Sequence, residues 1–292
     1  MTKNDKNRKP KKMLVFTLTL TLIAAAALAA FAVATTEPPL KEGETAMPIL
    51  MYHSVTRDES LTSAYVVTEA QFESDMKYLR DNGYNAVFVS EIADFVLSGT
   101  PLPEKPIAIT LDDGYVNNLS YVLPLLAKYD MKATISIVGA CSESAAADRY
   151  DNMTFAHMSF AEAAALQESG YVEIGNHTYS MHENVSGARR GCTRMSGESE
   201  EDYKAALRAD LSKLQGYITQ CVNINATTFT YPFGKISPES TDVLKELGFT
   251  AALTCNPGIN HLSGDPDELL ALKRLNRPGS TTTEKFMEKL PY

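Results

Sequence analysis

Residues Pro106 to Tyr115 read PIAITLDDGY. Ile107 to Leu111 are apolar or β-branched, the composition of a strand buried on both faces. The run stops at two adjacent carboxylates, Asp112 and Asp113, followed by a glycine and a tyrosine. Like charges this close repel, and each loses hydration at the end of a buried strand. A bound cation is the first candidate to compensate them.

Working outward, strand-like runs alternate with capped helical patterns. MPILMYH (47–53) reads as a strand, and TEAQFESDMKYLRDNGY (68–84) opens with a Thr68/Gln71 capping box and closes at Gly83. NNLSYVLPLLAKYD (117–130) is a helix with a kink expected at Pro124, and KATISIVG (132–139) the next strand. MSFAEAAALQESG (158–170) carries the Ser159/Glu162 box, YVEIGNH (171–177) is a strand, and 198–218 a long helix. NATTFTYPFG (225–234) follows as a strand, and SPESTDVLKELG (237–248) as a helix with Ser237 as cap and Pro238 at its first position. FTAALT (249–254) and LLALKRL (269–275) complete the strands. This alternation predicts parallel strands joined by right-handed crossovers in an α/β domain over 47–292, either a (β/α) barrel or a doubly wound sheet, with a distorted (β/α) barrel of about seven strands as the expected form. Such folds place their chemistry at the carboxyl ends of strands. His53, Asp112, Asp113 and His177 all fall there.

The first residues differ from this pattern. Residues 1–12 form a basic arm, with six Lys or Arg against Asp5, and residues 13–34 carry no charge. Flanking positive charge stays on the cytoplasmic side of a membrane, so the run reads as a signal-anchor helix, with a cleaved signal as the alternative. Residues 35–46 then form a polar, proline-bearing linker. The expected location is the cell membrane, single-pass with the C-terminal part outside, or secreted if the helix is removed. The formal charge is −9; the arm contributes +5, leaving −14 for the rest. An acidic exterior excludes nucleic acid as a partner class. The four cysteines, Cys141, Cys192, Cys221 and Cys255, contain no Cys-x-x-Cys pair, which argues against a thiolate metal site and leaves disulfide pairing open.

EIGNHTYSMHEN (173–184) adds His177 and His182 beyond another strand end. On a helix this spacing would set the rings far out of phase, whereas a loop can aim both at one point. Two imidazoles and one carboxylate, with water in the remaining positions, make an open site for Zn²⁺ or a similar divalent ion, Co²⁺ or Ni²⁺ included. Each motif alone is ordinary, since Asp-Asp-Gly serves as a turn and a cap. Together at strand ends of one α/β domain they point to catalysis.

TLDDGY, NHTYSMH and TYPFG together resemble the polysaccharide deacetylase (NodB-homology) family, carbohydrate esterase family four, over Met47 to about Phe286. Leu111 replaces the family's usual aromatic residue in the first motif. The resemblance implies Asp112 as catalytic base and Asp113, His177 and His182 as metal ligands. The histidine spacing and PILMYHSV at the domain start resemble the branch of extracellular poly-N-acetylglucosamine deacetylases. There the acid histidine comes from an early Met-Tyr-His, a position that His53 fits; the late Leu-x-His of other members is absent after Gly264. TYPFG lacks the arginine that steadies the base, so Arg274 or Arg277 is expected to supply it, with Arg274 favoured. The Phe233 backbone N–H is a candidate oxyanion donor, and His157 and His261 are read as structural or solvated. The implied reaction is metal-dependent removal of N-acetyl groups from an N-acetylglucosamine-containing extracellular or cell-wall polysaccharide, releasing acetate. An O-acetyl esterase on a glycan and a catalytically inactive glycan-binding wall protein are the alternatives.

Overall fold

The computed structural model describes residues 40–145, 152–183 and 189–292. The basic arm and the apolar run 13–34 lie outside the described residues. Among those described, no helix is long and apolar enough to cross a membrane.

The strands, in chain order, are β1 Thr45–Met47, β2 Ile49–Tyr52, β3 Ser54–Thr56, β4 Val66–Thr68, β5 Asn85–Val87 and β6 Pro106–Leu111. They continue as β7 Ala133–Ile137, β8 Val172–Asn176, β9 Thr228–Thr230, β10 Ala251–Leu253, β11 Asn260–Leu262 and β12 Leu275–Asn276. The main sheet runs β10-β9-β8-β7-β6-β2-β12, with β5 also paired to β6, and all these pairings are parallel. Every residue of β6 is buried, including Thr110, whose hydroxyl donates to the Leu50 carbonyl at 2.7 Å. The two edges of the sheet approach each other: the Thr254 N–H donates to the Leu272 carbonyl and the Leu272 N–H to that of Ala252, both at 2.9 Å. The sheet is therefore a curled, incompletely closed barrel. Its seven-strand path matches the expected number, with β5 added beside β6. Two small pairs flank it, β1 antiparallel to β11 and β3 parallel to β4.

The helices are α1 Glu69–Asp81, α2 Val89–Ser98, α3 Leu123–Tyr129, α4 Gly139–Glu143, α5 Phe160–Glu168, α6 Glu200–Tyr217, α7 Ser240–Glu246 and α8 Thr283–Met287. The capping boxes at Thr68 and Ser159 form with both hydrogen bonds. α1 buries Phe72, Met76 and Leu79, one stripe at helical spacing, and with them Asp75.

Three local expectations are corrected. Ser237 does not cap α7; its hydroxyl accepts the Arg194 N–H at 2.8 Å, and the helix begins at Ser240. The helix expected over 117–130 is divided: a π-helical turn spans Asn118–Val122, and Pro124 sits in the first turn of α3 that follows it. LLALKRL is mostly not a strand: Asp265 caps a 3₁₀ segment, Pro266–Ala271, Leu272 forms an isolated parallel bridge to Leu253, and a strand is regained at Leu275. All four cysteines are free.

A buried ion pair ties the chain after β12 to α1. Arg277 and Asp75 are both essentially unexposed, with Nε donating to Oδ2 at 2.7 Å. The Tyr52 and Thr283 hydroxyls donate to the same carboxylate at 3.0 and 2.6 Å, so its lone pairs are well used. Arg277 is thus occupied elsewhere.

Candidate active site

Parallel strands bring their carboxyl ends to one rim, and the sequence places chemistry-bearing residues just beyond several of them. His53 follows β2, Asp112 and Asp113 follow β6, His177 follows β8, and Phe233 lies in the turn after β9. Arg274 precedes β12 and reaches the same place through the barrel interior. Its Nε donates to the Thr254 carbonyl at 2.7 Å and its Nη1 to the Thr110 hydroxyl at 3.1 Å. Both guanidinium ends then clamp Asp112, Nη1 to Oδ1 and Nη2 to Oδ2, each at 2.7 Å. This fork geometry is the strong form of the pair.

The clamp decides the protonation of Asp112. Burial alone pushes its pKa up, but the Arg274 charge and hydrogen bonds outweigh this and hold it below the ordinary carboxylate range. Asp112 is therefore held as a buried anion. The His53 Nε2 lies 3.8 Å from Asp112 Oδ2, too long for a hydrogen bond and close enough for a group to sit between or beside them. Burial lowers the His53 pKa, and the two aspartates only partly offset it. The Asn118 carboxamide donates to the His53 carbonyl at 3.2 Å, and the Tyr65 ring packs on the imidazole with centroids 4.8 Å apart.

Asp113, His177 and His182 form the second cluster, each offering one ligand atom within 4.8 Å of the others. The His177 Nδ1 is 2.7 Å from the Thr230 carbonyl, which can only accept, so Nδ1 carries the proton and Nε2 presents a lone pair. That Nε2 faces Asp113 Oδ1 at 3.5 Å, and the His182 Nε2 faces the same oxygen at 3.2 Å. Oδ1 is buried and has no hydrogen bond. The Asp113 Oδ1 and the His177 Nε2 lone pair are acceptors turned toward one point together with the His182 Nε2, an arrangement that a cation, or a proton on His182, compensates. Against burial, which lowers it, Asp113 draws the His182 pKa up. Likewise the two imidazoles hold the Asp113 carboxyl well below its ordinary range despite its burial. For a tetrahedral ion at 2.0–2.2 Å from N and O donors the ligand atoms stand about 3.4 Å apart. The 3.5 and 3.2 Å spacings from Asp113 to the two imidazoles fit a divalent metal, and the mixed N/O set suits zinc, cobalt or nickel.

The backbone is bent to make this arrangement. Asp113, Thr178 and Phe233 all have positive φ, at 70°, 70° and 57°, a conformation unfavourable for a β-branched or bulky side chain. Gly114 shares the turn with φ of 66°, and a Cβ there would meet the Ile137 Cγ2 at 2.8 Å, so glycine is required on two counts. The Phe233 ring packs on His182, centroids 4.6 Å apart, placing its backbone beside the ligand cluster.

The structure thus brings together Asp112, Asp113, His53, His177, His182, Phe233 and Arg274. His261 stands apart, 3.6 Å from Glu44. His157 is structural, yet it belongs to the site's support: its Nδ1 is 2.8 Å from the Asp113 carbonyl and its ring stacks on Tyr115. Neither His157 nor Asn118 carried a sequence signal, because one lies in an irregular loop and the other reads as an ordinary helix residue. Thr230 contributes through its carbonyl, which no side-chain pattern reveals.

Residues 99–252, just over half of the chain, match the family described as polysaccharide deacetylase. Bacillus subtilis (strain 168) YxkH, whose name carries the same description, is 30% identical over 223 residues, covering 76% of this chain and 67% of its own. Poly-beta-1,6-N-acetyl-D-glucosamine N-deacetylase of Escherichia coli (strain K12) is 25% identical over 270 residues, 83% of this chain; the match spans only 40% of that protein's length. A solved de-N-acetylase from Aggregatibacter actinomycetemcomitans superposes with a TM-score of 0.70 at 24% identity, over 84% of this chain and all of its own, which shows the shared fold.

Proposed function

The chain belongs to the polysaccharide deacetylase family, and from that premise we propose that it removes N-acetyl groups from an N-acetylglucosamine-containing polysaccharide, releasing acetate. The observation carrying this reading is the pairing of two clusters on one rim. An Arg-clamped carboxylate lies beside a histidine, next to a buried Asp/His/His set whose lone pairs converge. Asp113, His177 and His182 would hold one divalent ion, and their mixed N/O donor set suits zinc. Such an ion supplies Lewis acidity, lowering the pKa of water toward 7 and polarising a carbonyl.

The chain's own residues do the rest. Asp112, kept ionised by Arg274, takes the proton from the attacking water, and the same clamp fixes its orientation. The Phe233 N–H donates to the oxygen on which negative charge develops. His53 delivers a proton to the departing sugar nitrogen, so that it leaves as an amine. A carboxylate that accepts and an imidazole that donates, with pKa values set by different surroundings, are the parts acid–base catalysis needs.

The polymer class is supported by the name of the Escherichia coli relative and by the early Met51-Tyr52-His53. Its location, in the cell membrane with the catalytic domain outside or secreted, rests on the uncharged run 13–34 behind a basic arm. The test is acetate release from N-acetylated and O-acetylated oligosaccharides, with and without chelator. Chelator-sensitive release from N-acetylated substrates supports the reading. Release only from O-acetylated ones favours an esterase, and binding without release under added Zn²⁺ or Co²⁺ favours an inactive glycan-binding protein.

A further inference from the structure

Tyr65 is the most exposed large apolar residue among those described, at 56%, yet its ring packs against the nearly buried imidazole of His53. Exposure of this size usually follows from a loose loop. Here it does not. The Tyr65 carbonyl accepts the N–H of Ser54, the residue directly after His53, at 3.2 Å. The Tyr65 N–H donates to the Ser63 hydroxyl at 3.2 Å, and the Asn276 carboxamide donates to the Ala64 carbonyl at 2.9 Å. The Gly279 N–H donates to the Ser63 carbonyl at 2.8 Å, and the β3–β4 pairing begins at Ser54 opposite Val66. The backbone under the ring is held on three sides, so the phenol is displayed rather than frayed. An aromatic ring kept in water at a fixed place beside a site residue forgoes the burial that would stabilise it. Such a ring fits an occupant with an apolar face and a polar edge.

We propose that Tyr65 is a sugar-binding platform, on which the pyranose ring carrying the scissile amide, or its neighbour along the chain, lays its C–H face. This rests on the deacetylase reading of the site. If His53 faces the amide nitrogen, the sugar ring bonded to that nitrogen lies on the outer side of His53, and Tyr65 is the exposed aromatic there. The phenol acts through its face, so the hydroxyl is dispensable and the ring is not.

The chain contains no tryptophan, so Tyr65→Trp places a single indole at the platform. Metal-loaded full-length protein is titrated with N-acetylglucosamine oligomers from dimer to hexamer, with Leu97→Trp on the exposed side of α2 as the control indole. The expected result is a saturable emission change for Tyr65→Trp and none for the control. In turnover, Tyr65→Ala raises KM roughly 3- to 10-fold, the range an aromatic stacking contact supplies, with kcat little changed. Tyr65→Phe stays within about 2-fold of wild type on the same reasoning. Acetate release by wild type, with a flat indole signal and an unchanged KM in Tyr65→Ala, overturns the platform and keeps the deacetylase reading. A saturable signal without acetate release does the reverse. A Tyr65→Ala effect confined to the pH dependence of kcat also overturns the platform, because the ring would then be acting through His53.

Discussion

Replacing Arg274 with glutamine should raise the pKa of Asp112, because the guanidinium is the main group that opposes its burial. Arg274 is unexposed and Asp112 only 2% exposed, so neither can turn to water when its partner is lost. Breaking a buried pair by removing one member costs about 3–5 kcal/mol, because the other charge is left uncompensated. In the wild type the Asp112 pKa is depressed; its stabilising contribution is present above the unfolded value and is lost as pH falls through the folded one. Without the guanidinium, only the His53 and His177 imidazoles oppose the effect of burial. The carboxyl pKa rises, and the destabilisation is greatest at neutral pH, shrinking as acid protonates the group. The acid limb of kcat/KM for acetate release should therefore move to higher pH. Urea unfolding of the two proteins should diverge most at neutral pH and converge below the carboxylate range. An unmoved acid limb, with a stability gap that does not depend on pH, would refute the reasoning.

Other perturbations separate the roles. Asp112→Asn keeps the ligand cluster and should lower kcat by about 10²–10⁴-fold, the span of general-base catalysis, with metal content unchanged by elemental analysis. His53→Gln should fall within the same range and lose the alkaline limb of the pH profile, again without metal loss, when acetate release is followed across pH. Asp75→Ala strands Arg277 in the core and should cost about 3–5 kcal/mol, or roughly 6–20 °C in Tm for a domain of this size, read by thermal unfolding. Metal affinity, measured by competition with a chelator, should not move in that variant.

Much of this was legible in the chain, for identifiable reasons. β6 declares itself because a strand buried on both faces must be largely apolar, and its end is visible where two carboxylates interrupt it. Thr68 and Ser159 announce their helices because both halves of a capping box are local. Ser237 misled because a hydroxyl that reads as a cap is used by a distant segment, the Arg194 N–H. Pairing at a distance also explains the arginines. Arg274 and Arg277 share one short stretch, and the choice between them depends on Asp75, some 200 residues upstream, occupying the second. LLALKRL looked like a strand because its leucines are buried, and an apolar run alone does not separate a strand from a buried turn of helix. The backbone carbonyls of Thr230 and Asp113, which orient His177 and bind His157, have no sequence signature at all.

The account stands on Asp113, His177 and His182 holding one divalent ion, and metal binding by the full chain tests this most directly. Protein stripped with chelator and dialysed against Zn²⁺ should regain one equivalent at submicromolar affinity, with His177→Ala and His182→Ala losing it and Asp112→Asn retaining it. Wild type that takes up no stoichiometric zinc, cobalt or nickel, or histidine variants that bind as tightly as wild type, would contradict it.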